Sequence, residues 1–302
     1  MAINRADIAK QLLPGLNAIF GLEYGSVDNE TDILFETENS DRAFEEEVLM
    51  AGFATAPTKS EGAAVQYDSA QENYTARYTH ETIALAYAIT EEAFEDNLYD
   101  TFAKIRTRAL ARAMANTKQT KGANIFNNAF NASFSGGDGV AMCSNSHPTI
   151  SDGVQDNLLA AADLSETNLE TALIQVQKAK DDRGILIGAG AVSLHIDPTN
   201  QFTAERILNS PGKTGSGNND INAVNNMGLI PKGYYVNRRF TDVNAYFILT
   251  DVPNGTKMFV RSPLGTKMEP DFDTGNLRFK ARERYSFGWS DWRGVYGTNG
   301  SS

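Results

Sequence analysis

Cys143 and His147 stand four residues apart in Asp138–Pro148, DGVAMCSNSHP. A thiolate beside an imidazole base is a nucleophile pair, so this spacing admits a Cys–His hydrolase. A polar turn at His147-Pro148 explains the same residues without chemistry. A zinc centre needs three or four ligands. The other histidines, His80 and His195, fall in separate strand-like runs, and Cys143 has no second cysteine beside it. Gly212–Gly217, GKTGSG, resembles a phosphate-binding loop, which requires G-x-x-x-x-G-K-[ST] between a strand and a helix. Counting back from Gly212 meets Ile207, and counting on from Gly217 meets Asn218 and Asn219, so the pattern fails. Carboxylates are plentiful, Glu45–Glu47 among them, but a glycosidase-type site needs two acids facing across a cleft. Neither a catalytic residue nor a cofactor or metal site is expected.

What remains is charge. Arg278–Gly297 reads RFKARERYSFGWSDWRGVYG. The even positions from Arg278 are Arg, Lys, Arg, Arg, Ser and Gly; the odd positions from Phe279 are Phe, Ala, Glu, Tyr, Phe and Trp. That alternation predicts a strand with one basic face and one mostly apolar face. The whole chain nevertheless carries a net charge of -11. Glu23–Met50 holds Glu23, Asp28, Glu30, Asp32, Glu36, Glu38, Asp41, Glu45, Glu46 and Glu47 against Arg42 alone. Lys104–Lys121 holds Lys104, Arg106, Arg108, Arg112, Lys118 and Lys121 with no acid. Such asymmetry suits a chain that binds copies of itself, acidic part to basic part. Solvated faces are the plainer reading of any one cluster. The acidic total argues against nucleic acid as the main partner.

The elements that position these residues can be read from pattern. A chain of 302 residues suits one large or two medium domains with a sizeable core. A single cysteine excludes an intrachain disulfide framework. The N-terminus lacks an unbroken apolar segment, so no secretory signal or membrane span is expected. Asn4 caps a short helix with Asp7 at its third position, Ile8, Leu12 and Leu13 on its apolar side, and an end at Pro14–Gly15. Residues 23–43 read as an acidic arm that needs a surface to lie on. Residues 44–89 read as β, with a tip at APTKSEG (Ala56–Gly62) and side chains too small and polar for a core sheet. A hairpin of that kind is unstable alone, so it packs on something else, such as another subunit.

Thr90 opens a helix with acids early and bases late, matching the helix dipole. Phe94, Leu98, Phe102, Ile105 and Ala109 mark its apolar stripe. From Thr90 to Lys121 it runs about 48 Å, against about 50 Å across a compact sphere of this length. A flat or elongated plate is therefore expected. Residues 131–164 are loop-rich. A second helix runs from Ser165 or Thr167 to about Asp182, with Thr167 and Glu170 at capping-box spacing, Leu169, Leu173 and Val176 buried, and Gly184 closing it. Strands follow at Ala191–Ile196, Gly233–Arg239, Ala245–Thr250 and Lys257–Arg261, with a short helix near Phe202–Leu208.

Taken in order, ITEEAFEDN (Ile89–Asn97), DGVAMCSNSHP, NLLAAADLSETNLETALIQVQKAKDDRGILIG (Asn157–Gly188), HIDPTN (His195–Asn200) and RERYSFGWSDWRGVYG (Arg282–Gly297) resemble the major capsid proteins of tailed bacteriophages. These have the Hong Kong 97-type fold, and the resemblance is nearest to the Mu-like major head subunit branch. It implies an α+β fold: an N-terminal arm over 1–43 and an extended loop, a β-hairpin, over 44–88. A peripheral domain over 89–190 would carry a spine helix at 90–130 and a helix at 165–182. An axial domain would cover 191–262, and 263–302 would return through the peripheral domain to the C-terminus.

The resemblance also implies a structural, non-enzymatic role. Copies of the chain would form hexamers and pentamers of an icosahedral shell enclosing double-stranded DNA without sequence specificity. The shell would be the virion capsid, assembled in the host bacterial cytoplasm, with separate scaffold, portal and decoration proteins as partners and no membrane. Contacts between subunits would use Glu45, Glu46, Glu47 and Lys59 of the hairpin, Arg106, Arg108 and Arg112 of the spine helix, and Arg278, Lys280, Arg282 and Arg284 of the basic strand. Some relatives cross-link Lys to Asn between subunits. Lys59 lies at the predicted tip, but no Asn partner or catalytic acid is identifiable, so the resemblance does not carry a cross-link over to this chain. An encapsulin-like compartment shell of the same fold is the alternative, and a Cys143–His147 hydrolase the third reading.

Overall fold

The computed structural model describes residues 5–90, 92, 99–213, 220–271 and 273–301. Its first half holds α1 (Arg5–Gly25), α2 (Thr31–Leu34), β1 (Glu36–Asn39), β2 (Phe44–Ala51), β3 (Gln71–Thr79), β4 (Glu81–Ile89), α3 (Tyr99–Asn127), β5 (His147–Pro148) and β6 (Val154–Gln155). Its second half holds α4 (Glu166–Gln177), β7 (Ala191–Ile196), α5 (Gln201–Asn209), α6 (Ala223–Met227), β8 (Tyr234–Val236), β9 (Tyr246–Thr250), β10 (Thr256–Pro270), β11 (Leu277–Trp289) and β12 (Val295–Thr298). The chain forms two compact units. One comprises Met1–Phe44, Thr79–Gly122 and Met258–Ser286; the other comprises Glu45–Tyr78, Ala123–Lys257 and Phe287–Ser302.

The first unit is built on a four-stranded sheet in the order β1-β10-β11-β4. β11 shows the predicted alternation: Leu277, Phe279, Ala281, Glu283 and Tyr285 are buried while Arg278, Lys280 and Arg282 are exposed. The buried row packs with Leu16 and Phe20 of α1 and with Ala103, Leu110, Ala111 and Met114 of α3. Here α1 departs from expectation, because it runs through Pro14 to Gly25. An internal proline costs about 3 kcal/mol. Leu16 and Phe20 are each almost wholly buried, and such side chains contribute about 2–3 kcal/mol apiece. Together they offset the proline and keep the helix going past it. Asn4 and the side chains of Asp7, Ile8, Leu12 and Leu13 lie outside the described residues.

On α3 the buried stripe is Ala103, Thr107, Leu110, Ala111 and Met114, whereas Ile105 is 56% exposed. Ile105 shares its face with Arg108 and Arg112, three and seven residues on. Burying it would drag those charges inward, which costs more than one isoleucine gains. Beyond Thr90, the expected first-turn acids Glu91, Glu95 and Asp96, together with Phe94, Leu98 and the Phe102 side chain, lie outside the described residues. The acidic arm finds its surface on its own chain. The side-chain oxygen of buried Gln119 on α3 accepts the N–H groups of Glu30 and Thr31 at 2.9 and 3.0 Å, satisfying the start of α2. Thr31 and Leu34 are buried there.

The hairpin expected over 44–88 consists of β2 and β3. β4 instead pairs antiparallel with β11 along its whole length. Its inward Tyr87 sits 5.5 Å, ring to ring, from Phe279, and its hydroxyl meets Thr107 at 2.7 Å. These contacts take β4 into the four-stranded sheet. In the second unit the sheet order is β12-β9-β7-β8, with β7 and β8 parallel and the other pairs antiparallel. Leu194, Ile196, Ile248 and Tyr296 of this sheet share a core with Leu169, Leu173 and Val176 of α4. α4 is capped by Ser165, whose hydroxyl accepts the Asn168 N–H at 3.3 Å, so the Thr167–Glu170 box is not its start. Gly184, with φ +80°, closes a turn after the helix and not the helix itself, which ends at Gln177.

The C-terminal segment also departs from expectation. Val295–Thr298 pairs with β9 of the second sheet, because Val295 and Tyr296 are apolar and buried there. Gly136 and Gly137 root the β2–β3 hairpin in this unit. A Cβ on Gly137 would come within 2.5 Å of the Thr75 carbonyl oxygen, and one on Gly136 within 2.7 Å of the Trp289 indole nitrogen.

Two substitutions check these packing assignments by urea denaturation. Phe20→Ala is expected to lower stability by about 3–4 kcal/mol, as for other large buried aromatics. Gly137→Ala is expected to cost about 1–3 kcal/mol through overpacking against backbone that cannot turn away.

Candidate functional site

The Cys–His pair does not form a nucleophilic site. Cys143 is buried, and burial pushes its thiol well above the usual range. Both ring nitrogens of His147 are engaged elsewhere: Nδ1 with Asp138 at 2.6 Å and Nε2 with the Asn157 side-chain oxygen at 3.0 Å. The ring stacks on Trp292 at 4.2 Å and 7°. Asn157 in turn donates to the carbonyls of Met142, Trp292 and Val295 at 2.7, 3.1 and 2.8 Å. Next to it, buried Arg293 donates to Asp182 at 2.8 Å, to Gln155 at 3.0 Å and to the Lys180 carbonyl at 2.7 Å. This network anchors the 131–164 loop to the C-terminal segment.

The other histidines are likewise structural. His80 lies between Ser40 and Ser286 hydroxyls at 2.8 and 3.0 Å. His195 is held down to about 3 by burial, with Lys232 adding to it, and stays neutral. Among the described residues no three or more His, Cys, Asp or Glu side chains gather to hold a metal ion. Thr214–Asn219, most of the Gly-rich loop, lies outside the described residues.

The charged residues divide into those paired within the chain and those left open. On α3, Arg108 lies 4.0 Å from Glu23 of α1, and Arg112 is bonded to the same carboxylate. The acid expected from a neighbouring subunit is supplied here by the chain itself, because α1 extends past Pro14 far enough to reach. Lys121 pairs with Glu81, and Arg106 is exposed. In the hairpin, Glu46 is exposed and lies 3.8 Å from Arg77. Glu45 is half-buried. Glu47 is held inside: it accepts from the buried Lys257 ammonium at 2.6 Å and from the Ser290 hydroxyl.

Lys59 stands exposed in the irregular stretch between β2 and β3. The base of that stretch is tied by Asp68, which accepts the Ala54 and Ser69 N–H groups and faces Arg183 at 3.7 Å. Those hydrogen bonds hold the Asp68 carboxyl below the usual range. Along the hairpin Val48, Met50, Phe53 and Val65 are exposed, and Tyr67 is 94% exposed.

The outer face of the first unit's sheet carries the basic row. Arg278, Lys280, Arg282 and Arg284 sit in register with Ala88, Ala86, Ala84 and Thr82 of β4. These small neutral neighbours neither offset the charge nor cover it. Arg278 is bonded to Asp271, and Arg284 is half-buried. Among the described residues Lys280 and Arg282 have no acidic partner. On the β4 side this basic row runs beside alanines.

Residues 71–298 match the family model described as phage capsid protein. No curated protein matches. Among solved structures, the capsid of the empty GTA particle is similar at 13% identity and a TM-score of 0.58, covering 92% of each chain. A Mycobacterium phage Adephagia structure is similar at 11% identity and 0.53, covering 100% of this chain and 99% of that one. The holo-SrpI encapsulin complex from Synechococcus elongatus PCC 7942 is similar at 10% and 0.53, covering 91% and 89%. The match over most of its length, on a mixed helix-and-sheet architecture of the Hong Kong 97 type, means that this chain belongs to the phage capsid protein family and is a structural protein of the capsid shell.

Proposed function

We propose that the chain is the major head subunit of a tailed phage of the Mu-like branch, assembling as hexamers and pentamers that close into an icosahedral shell around double-stranded DNA. Heterologous contacts between copies generate rings and closed shells. The observation that carries the reading is the open cationic strip: Lys280 and Arg282 beside alanines, on a chain whose net charge is -11. An acidic surface from a neighbouring copy is the partner that such a strip fits. Glu46 and the exposed apolar residues of the β2–β3 hairpin, with Lys59 between its strands, form the complementary contact. The acidic total supports a shell that holds DNA by enclosure and not by affinity. Scaffold and portal proteins complete the particle, which assembles in the host cytoplasm. The family match favours this over an encapsulin-like compartment, since likeness to the encapsulin is one of fold.

Negative-stain microscopy and sedimentation of the purified protein, with scaffold coexpressed, test the reading. Closed shells or capsomer rings are expected. Lys280→Glu combined with Arg282→Glu is expected to abolish them while leaving the subunit within about 0.5 kcal/mol of wild-type stability, as exposed substitutions usually do. Normal shells from that variant would rule out the cationic strip as a contact.

A further inference from the structure

One acid stands on the inward face of β11. Glu283, between Ala281 and Tyr285, is only 3% exposed. Its Oε2 accepts the Tyr24 hydroxyl of α1 in a long 3.4 Å contact. Its Oε1 is buried without any hydrogen-bond partner. A buried carboxylate left half-satisfied is costly when ionised and much less so when neutral.

Among the described residues, the titratable and charged groups that act on it or on its neighbours come from α1, α2, α3 and β4; none comes from the adjoining β10. α1 brings Tyr24, and α2 brings Asp32, which acts on Tyr24. α3 brings Lys118, whose ammonium lies 5.7 Å from the Tyr285 ring. β4 brings Glu81, which acts on Tyr285 and is itself paired with Lys121. Lys118 is thus the cation that acts on Glu283, and it does so against desolvation on all sides. Burial pushes the Glu283 carboxyl above the usual range, with Lys118 and the Tyr24 hydrogen bond opposing but not cancelling it. Among the described residues, the rest of the α1 seat is apolar, through Leu16 and Phe20, or peripheral, through Asn17 with Thr266 and Glu23 with Arg112.

We propose that Glu283 is a proton-operated latch on helix α1: neutral, it lets the helix seat against β11, and ionised, it loosens that seat and lets the helix open more readily. The sign follows from linkage. A carboxyl raised on folding contributes stability that is full below the ordinary glutamate range and is lost as pH rises through its native value. The helix therefore sits tightest in acid and loosens toward neutral pH. A shell subunit built this way carries an N-terminal helix whose docking responds to the medium.

Hydrogen-exchange mass spectrometry on the full chain, corrected for intrinsic rates, tests this between about pH 5 and 8, the window above the ordinary glutamate range. In the wild type, protection over residues 14–25 is expected to fall about tenfold across the range, the direction linkage requires for a carboxyl raised on folding. Protection over 191–196 should stay level. Glu283→Gln is expected to keep 14–25 protected throughout. Lys118→Met, which removes the opposing cation, should move the wild-type midpoint upward. Protection that is level in the wild type, or a Glu283→Gln slope equal to wild type, would overturn the latch. Should Glu283→Gln fail to fold, an unmoved midpoint in Lys118→Met would overturn it alone.

Discussion

A strand's side chains alternate faces with a period of two residues, so one register places both the residues that seat β11 against α1 and α3 and the residues that make its outer face basic. Phe279 and Ala281 cannot enter the core without Arg278, Lys280 and Arg282 turning out. A slip by one residue would bury the cations and expose the aromatics, which makes the register strongly specified. β4 follows the same rule from the other side. Its Ile83 and Tyr87 turn inward, and its alanines line the basic row. Core and surface of this unit are two consequences of one pairing.

The second unit is specified differently. Its sheet is apolar where it faces α4, and the loop over 131–164 buries Met142, Leu159 and Leu164 but also carries buried polar groups that need partners. Polar satisfaction takes over. One asparagine, Asn157, serves three carbonyls from the loop and the C-terminal segment, and Arg293 bridges Asp182, Gln155 and a backbone carbonyl. Buried networks of this kind add specificity when every member is paired. They also explain why the Cys143–His147 spacing has no chemical consequence: the imidazole is a structural member of the network, stacked and bonded at both nitrogens.

Charge is sorted by reach. Glu23, Glu47 and Asp271 each meet a base of their own chain, and such pairs are worth little individually when exposed. What distinguishes Lys280 and Arg282 is that their β4 neighbours are alanines and that, among the described residues, no ion pair meets them. An unoffset cationic strip on an acidic protein favours association with another acidic surface.

The sequence alone determined the period-two strand at Arg278–Trp289, the strand at Ala191–Ile196, the buried stripe of α4 and, through ordered short motifs, the family. Those features depend on local spacing, which the chain displays directly. It could not determine that α1 passes through Pro14, since that rests on Leu16 and Phe20 finding Phe279 far along the chain. Nor could it place Ile105 outside, because alanine-rich helices carry two plausible stripes and only the neighbours decide between them. The pairing of Arg112 with Glu23, the departure of β4 from the hairpin, the Asn157 network and the half-satisfied Glu283 all join residues distant in sequence. Each was decided by tertiary structure, because hydrogen bonds and burial depend on distances that local spacing does not set.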